Sequence, residues 1–375
     1  MRYHAPAIVS FNHTLLRDFM VHKTLAQYAR TILVCLALYP AATIIAQQAR
    51  PAGSGQAPRP VDRSSCRQCP TWNAFQQPFR IFGNTYYVGV RGLSAILIAS
   101  PAGHVLIDGA LPESAATIAA NIRALGFRVE DVKLIANSHV HYDHAGGIAA
   151  LQRLSGAEVV ASQASARVLR SGVVGRDDPQ FGILADLAPV KRVRTIADGE
   201  TLHGGSTAVT AHLTPGHTPG GTTWTWRSCE GERCLDIVYA DSLSAISADG
   251  FLFSRSSTYP RVLQDFERSF TTVRALRCDI LLSTHPDASA LWERLAKRDG
   301  GDATALVDDT ACRRYVDRAR EGLAKRLAEE RAGRHLVCEP RRASEHHRPL
   351  ARRATDCERR RPDTHHRQRR VCNRR

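Results

Sequence analysis

The sequence predicts an α/β sandwich with helices outside buried sheets. Three observations predict it: short apolar runs alternate with segments of helical spacing, Gly and Pro punctuate the joins, and the order of elements recurs in the second half. In the first half, residues 86–90, 94–98 and 104–107 read as short strands separated by Gly turns. Residues 113–125 carry helical spacing and stop at Gly126, the residue type that most often ends a helix. A buried strand at 132–136, a helix at 145–154, a strand at 158–161 and a helix at 164–169 follow. After Pro189 come strands near 193–196, 208–213, 222–226 and 237–240, a helix over 262–276, a strand at 280–283, and helices over 291–297 and 310–331. The likeness of the halves implies a duplicated architecture, and no short solenoid-type repeat accompanies it.

Composition agrees with a folded chain: of 375 residues, 43% are hydrophobic and 23% charged. A net charge of +15 points to nucleic acid or an anionic membrane when it covers a surface. Here it belongs mainly to the ends. Residues 334–375 hold fourteen Arg against five acidic residues, and residues 1–46 hold four basic residues against Asp18. Residues 31–46 form an apolar run behind Lys23 and Arg30, a secretory signal pattern with cleavage expected near Ala46; Met20 is a second candidate start. Pro40 interrupts the run, which is short for a spanning helix, so no stable membrane anchor is expected. Export places residues 47–333 in the periplasm, an oxidising compartment where cysteines pair. Beyond Gly333 there is no Lys, no aromatic residue and no apolar periodicity, so residues 334–375 read as a disordered tail. No aromatic residues interleave with its charges, and no nucleic-acid partner is expected; a frameshifted, GC-rich gene end has the same composition.

The densest chemical signal follows the strand at 132–136: Asn137-Ser138-His139-Val140-His141-Tyr142-Asp143-His144-Ala145-Gly146-Gly147. His139 and His141 alternate, so in an extended segment they project to one side. Asp143 and His144 open the next helix, where the turn swings them toward an adjacent ion. Imidazole nitrogens with a carboxylate oxygen are a Zn²⁺ ligand set. A lone His is more often a satisfied surface residue, but here four ligand-type side chains fall within six positions. His217, in Thr214-Pro215-Gly216-His217-Thr218-Pro219-Gly220-Gly221, and His285, in Ser283-Thr284-His285-Pro286, also follow strands directly. That is the edge where α/β proteins build their sites. His104, His203 and His212 have no comparable setting.

The H-x-H-x-D-H string of residues 139–144 resembles the metallo-β-lactamase superfamily. So do Gly83-Asn84-Thr85-Tyr86-Tyr87-Val88-Gly89, Val105-Leu106-Ile107-Asp108-Gly109 and Tyr239-Ala240-Asp241-Ser242-Leu243-Ser244. Within the superfamily the sequence is most similar to the subclass B3 zinc β-lactamases, over nearly all of residues 66–332. The resemblance implies a four-layer αβ/βα sandwich, two β-sheets inside and helices outside, with two Zn²⁺ ions at one edge. It assigns His139, His141 and His217 to one zinc, and Asp143, His144 and His285 to the other. It implies an exported hydrolase that opens the β-lactam amide of penicillins, cephalosporins and carbapenems and so confers antibiotic resistance. In that chemistry a hydroxide available near neutral pH attacks the ring carbonyl. Asp143 both binds and orients as the catalytic carboxylate, and Asp108 is the candidate partner that fixes a ligand imidazole. By the same resemblance Ser242 takes a position where other branches place a zinc-binding Cys, and Ser244 hydrogen-bonds the substrate carboxylate. Neighbours in an extended segment point to opposite sides, so one of Asp241 and Ser242 is expected to face the metals. The Ser-Leu-Ser string selects Ser242; glyoxalase II and lactonase relatives use the aspartate. Phe181 and Ile183, in the loop at 176–184, and Trp72 are candidates for an apolar wall over the substrate, with core packing an equal reading for Trp72.

Cys229 and Cys234 flank a span that can close a hairpin as a disulfide, and the resemblance pairs Cys278 with Cys312. Cys66-Arg67-Gln68-Cys69 is a lone C-x-x-C with no second pair and no thioredoxin-like context, so its role stays open. A monomer is expected. Two other readings remain at this point. One is a thioesterase, lactonase or phosphodiesterase on the same fold, discriminated by the register at Asp241. The other is a basic-tailed nucleic-acid-binding protein with a structural metal. A structural zinc is closed by four ligands, whereas six ligands split three and three leave room for solvent.

Overall fold

The two halves of the chain build one sheet each. The computed structural model describes residues 66–333 other than residue 206; the signal pattern at 1–46 and the Arg-rich tail at 334–375 lie outside the described residues. The first sheet runs in chain order through β1 (Phe79–Phe82), β2 (Thr85–Tyr87), β3 (Ile96–Ile98), β4 (His104–Ile107), β5 (Val132–Ala136), β6 (Glu158–Ser162) and β7 (Val193–Ile196). Its first four strands pair antiparallel, and β4 to β7 pair parallel through helical crossovers. The second sheet comprises β8 (Thr201–Gly204), β9 (Thr207–Leu213), β10 (Thr222–Glu230), β11 (Arg233–Ala240) and β12 (Ile280–Ser283), in the order β12-β11-β10-β9-β8. Only β11 and β12 pair parallel there.

Three apolar clusters define four layers. One lies between the first sheet and the helices α2 (Ser114–Ala124), α4 (Ile148–Ser155) and α5 (Gln163–Ser171), and includes Leu97, Leu106, Ile118, Ile135 and Leu151. A second lies between the sheets, where Ile96, Ile98, Val105 and Ile107 meet Trp224, Trp226, Ile237 and Tyr239. The third covers the outer face of the second sheet with α6 (Val262–Ala275) and α8 (Ala311–Arg331), through Val238, Phe266, Phe270 and Val316. β3 and β4 are buried on both faces, as strands covered by helices on one side and a sheet on the other must be.

Most predicted elements stand within two residues of their expected ends. β10 and β11 extend further, because their polar tips pair across a hairpin in which Cys229 opposes Cys234. The helix predicted from residue 145 divides into a single turn, α3 (Tyr142–Ala145), and α4. At the break the backbone of Gly147 lies against that of Gly109, where a Cβ would stand 2.2 Å from the Gly109 carbonyl oxygen. The edge strands β1 and β8 were not predicted; each has four residues.

Trp224 is fully buried between the sheets, and its indole N–H donates to the Asn137 carbonyl, 3.2 Å away, beneath the loop of His139. Trp224→Ala is expected to cost about 3–5 kcal/mol of stability. Chemical denaturation measures it, and a loss below about 1 kcal/mol would contradict this packing.

Candidate metal centre

Every predicted ligand follows a strand at the same edge of the sandwich. His139 and His141 follow β5, Asp143 and His144 lie in α3, His217 stands in the β9–β10 loop, and His285 follows β12. The ends of the two sheets are tied together there. Asp108 N–H donates to Ala136 O, Gly109 N–H to His144 O, and Thr222 N–H to Ser138 O, at 2.8–2.9 Å. The loop bearing His217 is fixed from both sides. The Gly220 carbonyl accepts from the hydroxyls of Ser162 and Ser165, and Pro215 O from Ser269.

The donor atoms fall into two groups of three. His139, His141 and His217 offer one nitrogen each within 4.8 Å of one another, and a carboxylate oxygen of Asp143 with one nitrogen each of His144 and His285 form a second group of the same size. In the second group, Asp143 Oδ2 lies 3.2 Å from His144 Nε2 and 3.4 Å from His285 Nε2, and the two nitrogens are 3.2 Å apart. Ligands about 2.0–2.1 Å from a tetrahedral zinc are separated by roughly 3.4 Å. The triangle therefore has the size of one face of such a site.

The far nitrogens fix the tautomers. His217 Nδ1 donates to Ser244 O at 2.8 Å and His285 Nδ1 to Gly92 O at 3.2 Å. Carbonyls only accept, so both Nδ1 atoms carry a proton and the Nε2 atoms are the ones turned toward the site. His139 Nδ1 lies 2.7 Å from Asp241 Oδ1, and both side chains are fully buried. His139 Nε2 is left buried with no partner among the described residues. His141 is held the other way round, its Nε2 3.2 Å from both oxygens of Asp178. A buried lone pair with no donor is costly unless a cation takes it.

Electrostatics point the same way. Burial, with His144, His141 and His217 nearby, holds the His139 imidazole well below its ordinary pKa, and burial with His141 brings His217 to about 3. Both rings are neutral at physiological pH, the form in which an imidazole can ligate a metal. Burial pushes the Asp143 carboxyl up, but the imidazoles of His144 and His285 outweigh it and hold the group ionised well below the usual range. Asp241 is pushed well above that range by burial first and then by Asp108. A cation on the far side of His139 would offset that cost.

The predicted partners sit as follows. Asp108 reaches no imidazole by hydrogen bond: Oδ1 accepts from Ser138 N–H at 2.7 Å, and Oδ2 accepts from Ser138 Oγ at 2.6 Å and Tyr239 Oη at 2.8 Å. It holds the backbone one residue before His139, and Asp241 contacts the imidazole instead. Ser242, expected to face the metals, bonds through Oγ to Thr284 Oγ1 at 3.0 Å, one residue before His285, whereas the carboxylate of Asp241 meets His139. Ser244 stands at the rim, with Oγ 3.3 Å from His217 Nδ1. Phe181 and Ile183 are exposed, as is Ile246, which sequence reasoning did not single out. Asp178 was also missed, since Asp177-Asp178-Pro179 carries no periodic or spacing signal. Trp72 packs beside the site, its ring 5.2 Å from that of His285. Among the described residues, disulfides join Cys229 to Cys234, Cys278 to Cys312 and Cys66 to Cys69.

Residues 88–225 match the family profile of the metallo-β-lactamase superfamily. Among solved structures, the chain is similar to the Rm3 metallo-β-lactamase, with 58% identity over 71% of this chain and 99% of that one and a TM-score of 0.70. It is similar to MEM-A1, a subclass B3 metallo-β-lactamase isolated from a soil metagenome library, with 56% identity over 70% and 99% and a TM-score of 0.69. It is also similar to SMB-1, solved bound to 2-mercaptoethanesulfonate, with 48% identity over 69% and 99% and a TM-score of 0.67. With these relatives and this site, the chain belongs to the metallo-β-lactamase superfamily, in the company of its subclass B3 enzymes.

Proposed function

We propose that this protein is an exported dizinc β-lactamase that hydrolyses the amide of penicillins, cephalosporins and carbapenems. The observation that carries the reading is the pair of adjacent three-donor groups with His139 Nε2 buried and unpartnered between engaged neighbours. His139, His141 and His217 would hold one ion, and Asp143, His144 and His285 the other. Zinc, when bound, supplies Lewis acidity and lowers the pKa of water to roughly 7. The chain's own residues do the rest. Asp143 Oδ2 faces the two Nε2 atoms, which leaves Oδ1 to orient the attacking water and accept its proton. Addition to the ring carbonyl is followed by cleavage of the C–N bond, and the departing nitrogen takes up a proton. Asp241 and Asp178 keep the imidazoles of His139 and His141 in one orientation.

Ser244 presents a hydroxyl at the rim for the substrate carboxylate, while its carbonyl holds His217. Ser242 bonds the buried Thr284 hydroxyl, next to His285 in the chain. The carboxylate of Asp241 on the remote nitrogen of His139 supports a β-lactamase over relatives that use such an aspartate between the metals. Export is supported by the disulfides of the described residues, which persist in an oxidising compartment. No helix of the described residues is long and apolar enough to cross a membrane. The protein is read as a monomer, without a nucleic-acid partner.

Phe181, at 38% exposure, leaves enough ring surface free to form the apolar wall over the substrate. Phe181→Ala is expected to raise KM roughly fivefold with little change in kcat, the signature of about 1 kcal/mol of uniform binding. Steady-state kinetics measure it, and a fall in kcat alone would contradict the assignment. The reaction itself is tested with nitrocefin. The full chain should turn it over, lose activity on dialysis against a chelator, and regain it with zinc. Zinc-loaded protein that opens no β-lactam ring but cleaves a thioester would overturn the proposal.

A further inference from the structure

The C-x-x-C left unused by this chemistry closes against the metal centre. Cys66 and Cys69 are joined, and both are half-exposed, within reach of a dissolved thiol. Cys69 begins α1 (Cys69–Trp72), a single turn too short to be stable alone. Three contacts lead from it to the site. Cys69 Sγ is 3.0 Å from Tyr142 Oη; a disulfide sulfur carries no proton, so the phenol donates. Tyr142 stands in the chain between His141 and Asp143. The Trp72 ring lies 5.2 Å from the His285 ring. The Trp72 carbonyl accepts from Gly92 N–H at 2.9 Å, and the Gly92 carbonyl accepts from His285 Nδ1 at 3.2 Å. The two backbones touch, for a Cβ on Gly92 would stand 2.6 Å from Trp72 Cα.

His285 is the one member of the two donor groups that is not buried, its side chain 30% exposed. The other five are set in place by the sheet ends and loops packed around them. His285 is held at its carbonyl, which accepts from Ser283 Oγ at 2.6 Å and from Ala288 N–H at 3.0 Å, while its half-exposed imidazole rests on the Trp72 ring and the Gly92 carbonyl, beside the closed turn.

We propose that the Cys66–Cys69 turn is a redox-sensitive positioning device for the second donor group. With the disulfide formed, Trp72 and Gly92 hold His285 in register with Asp143 and His144. A dithiol reductant delivers two electrons and two protons, the S–S bond breaks to two thiols, and the reductant becomes a disulfide. The turn then loosens, His285 is released, and zinc affinity falls at that group alone. Trp72 is a positioning residue in this scheme, acting through His285. The inference rests on the dizinc reading above.

Zinc titration of the full chain against a fluorescent chelator tests both and separates them. Wild type should bind two ions. Cys66→Ser/Cys69→Ser opens the link without adding thiols that themselves bind zinc, and should weaken one ion about tenfold while sparing the other. Trp72→Ala, which keeps the disulfide, should do the same, and Trp72→Phe should restore the wild-type value. Cys229→Ser/Cys234→Ser, at the hairpin end of β10 and β11 remote from Asp241, should leave both affinities unchanged. Both ions at wild-type affinity in the Cys66→Ser/Cys69→Ser and Trp72→Ala variants would overturn the device, as would an equal loss at both ions. A wild-type chain that binds fewer than two ions would overturn the dizinc reading, and the device with it.

Discussion

Asp143→Asn should lower kcat/KM for nitrocefin by about a thousandfold, within the 10²–10⁴ range of a lost catalytic proton acceptor. The amide keeps the shape of the carboxylate but not its charge. Oδ2 of Asp143 completes a triangle with His144 Nε2 and His285 Nε2, at 3.2 and 3.4 Å. The same two imidazoles keep the carboxyl ionised against the cost of burial. Asn offers neither the charge that balances a second cation nor an oxygen that takes a proton. The loss should fall on kcat more than on KM, because the interaction is realised during reaction rather than on binding. Steady-state kinetics with zinc in excess make the comparison. A variant within tenfold of wild type would show that Asp143 is not the reacting carboxylate.

Asp241→Ala should weaken zinc binding at the His139 group by about 10–100-fold, the usual effect of removing a carboxylate behind a ligand imidazole. Asp241 and His139 are both fully buried and 2.7 Å apart, so the Ala variant takes the carboxylate acceptor from His139 Nδ1. Asp241→Asn keeps an oxygen for His139 Nδ1 and should retain most of the affinity. The order of the two variants is the informative part. If Asp241 instead bridged two metals, Asn and Ala would fail alike, and both ions would be lost together. Isothermal zinc titration of the three proteins decides between these outcomes.

What could be read in the sequence was local. His139 to His144 are near neighbours at the end of an apolar strand, and His217 and His285 each follow a strand of their own, so chain position alone suggested a common edge. The strands β4, β5 and β6 and the crossover helices between them were legible for the same reason, since each strand is a short, mainly apolar run. Contacts between distant residues were not. Asp178 meets His141 across 37 positions and Asp241 meets His139 across 102, and neither stands in a pattern that announces the pairing. Asp108 shows the limit of position as a guide. It ends its strand as expected, but a φ of 61° turns the chain so that its carboxylate takes Ser138 and Tyr239 rather than an imidazole. Alternation separates Asp241 from Ser242, but their partners are tertiary: the Asp241 carboxylate meets His139 and its N–H donates to Thr223, while Ser242 meets Thr284, just beyond β12. The C-x-x-C was legible as a pair, but its place beside Tyr142 and His285 is a tertiary fact.

Anomalous scattering at the zinc edge from crystals of the zinc-loaded chain tests the central claim most directly. Two peaks are expected, one among His139, His141 and His217 and one among Asp143, His144 and His285, with Asp241 on the far nitrogen of His139 and outside both. A single peak, or a peak ligated by Asp241, would contradict the account.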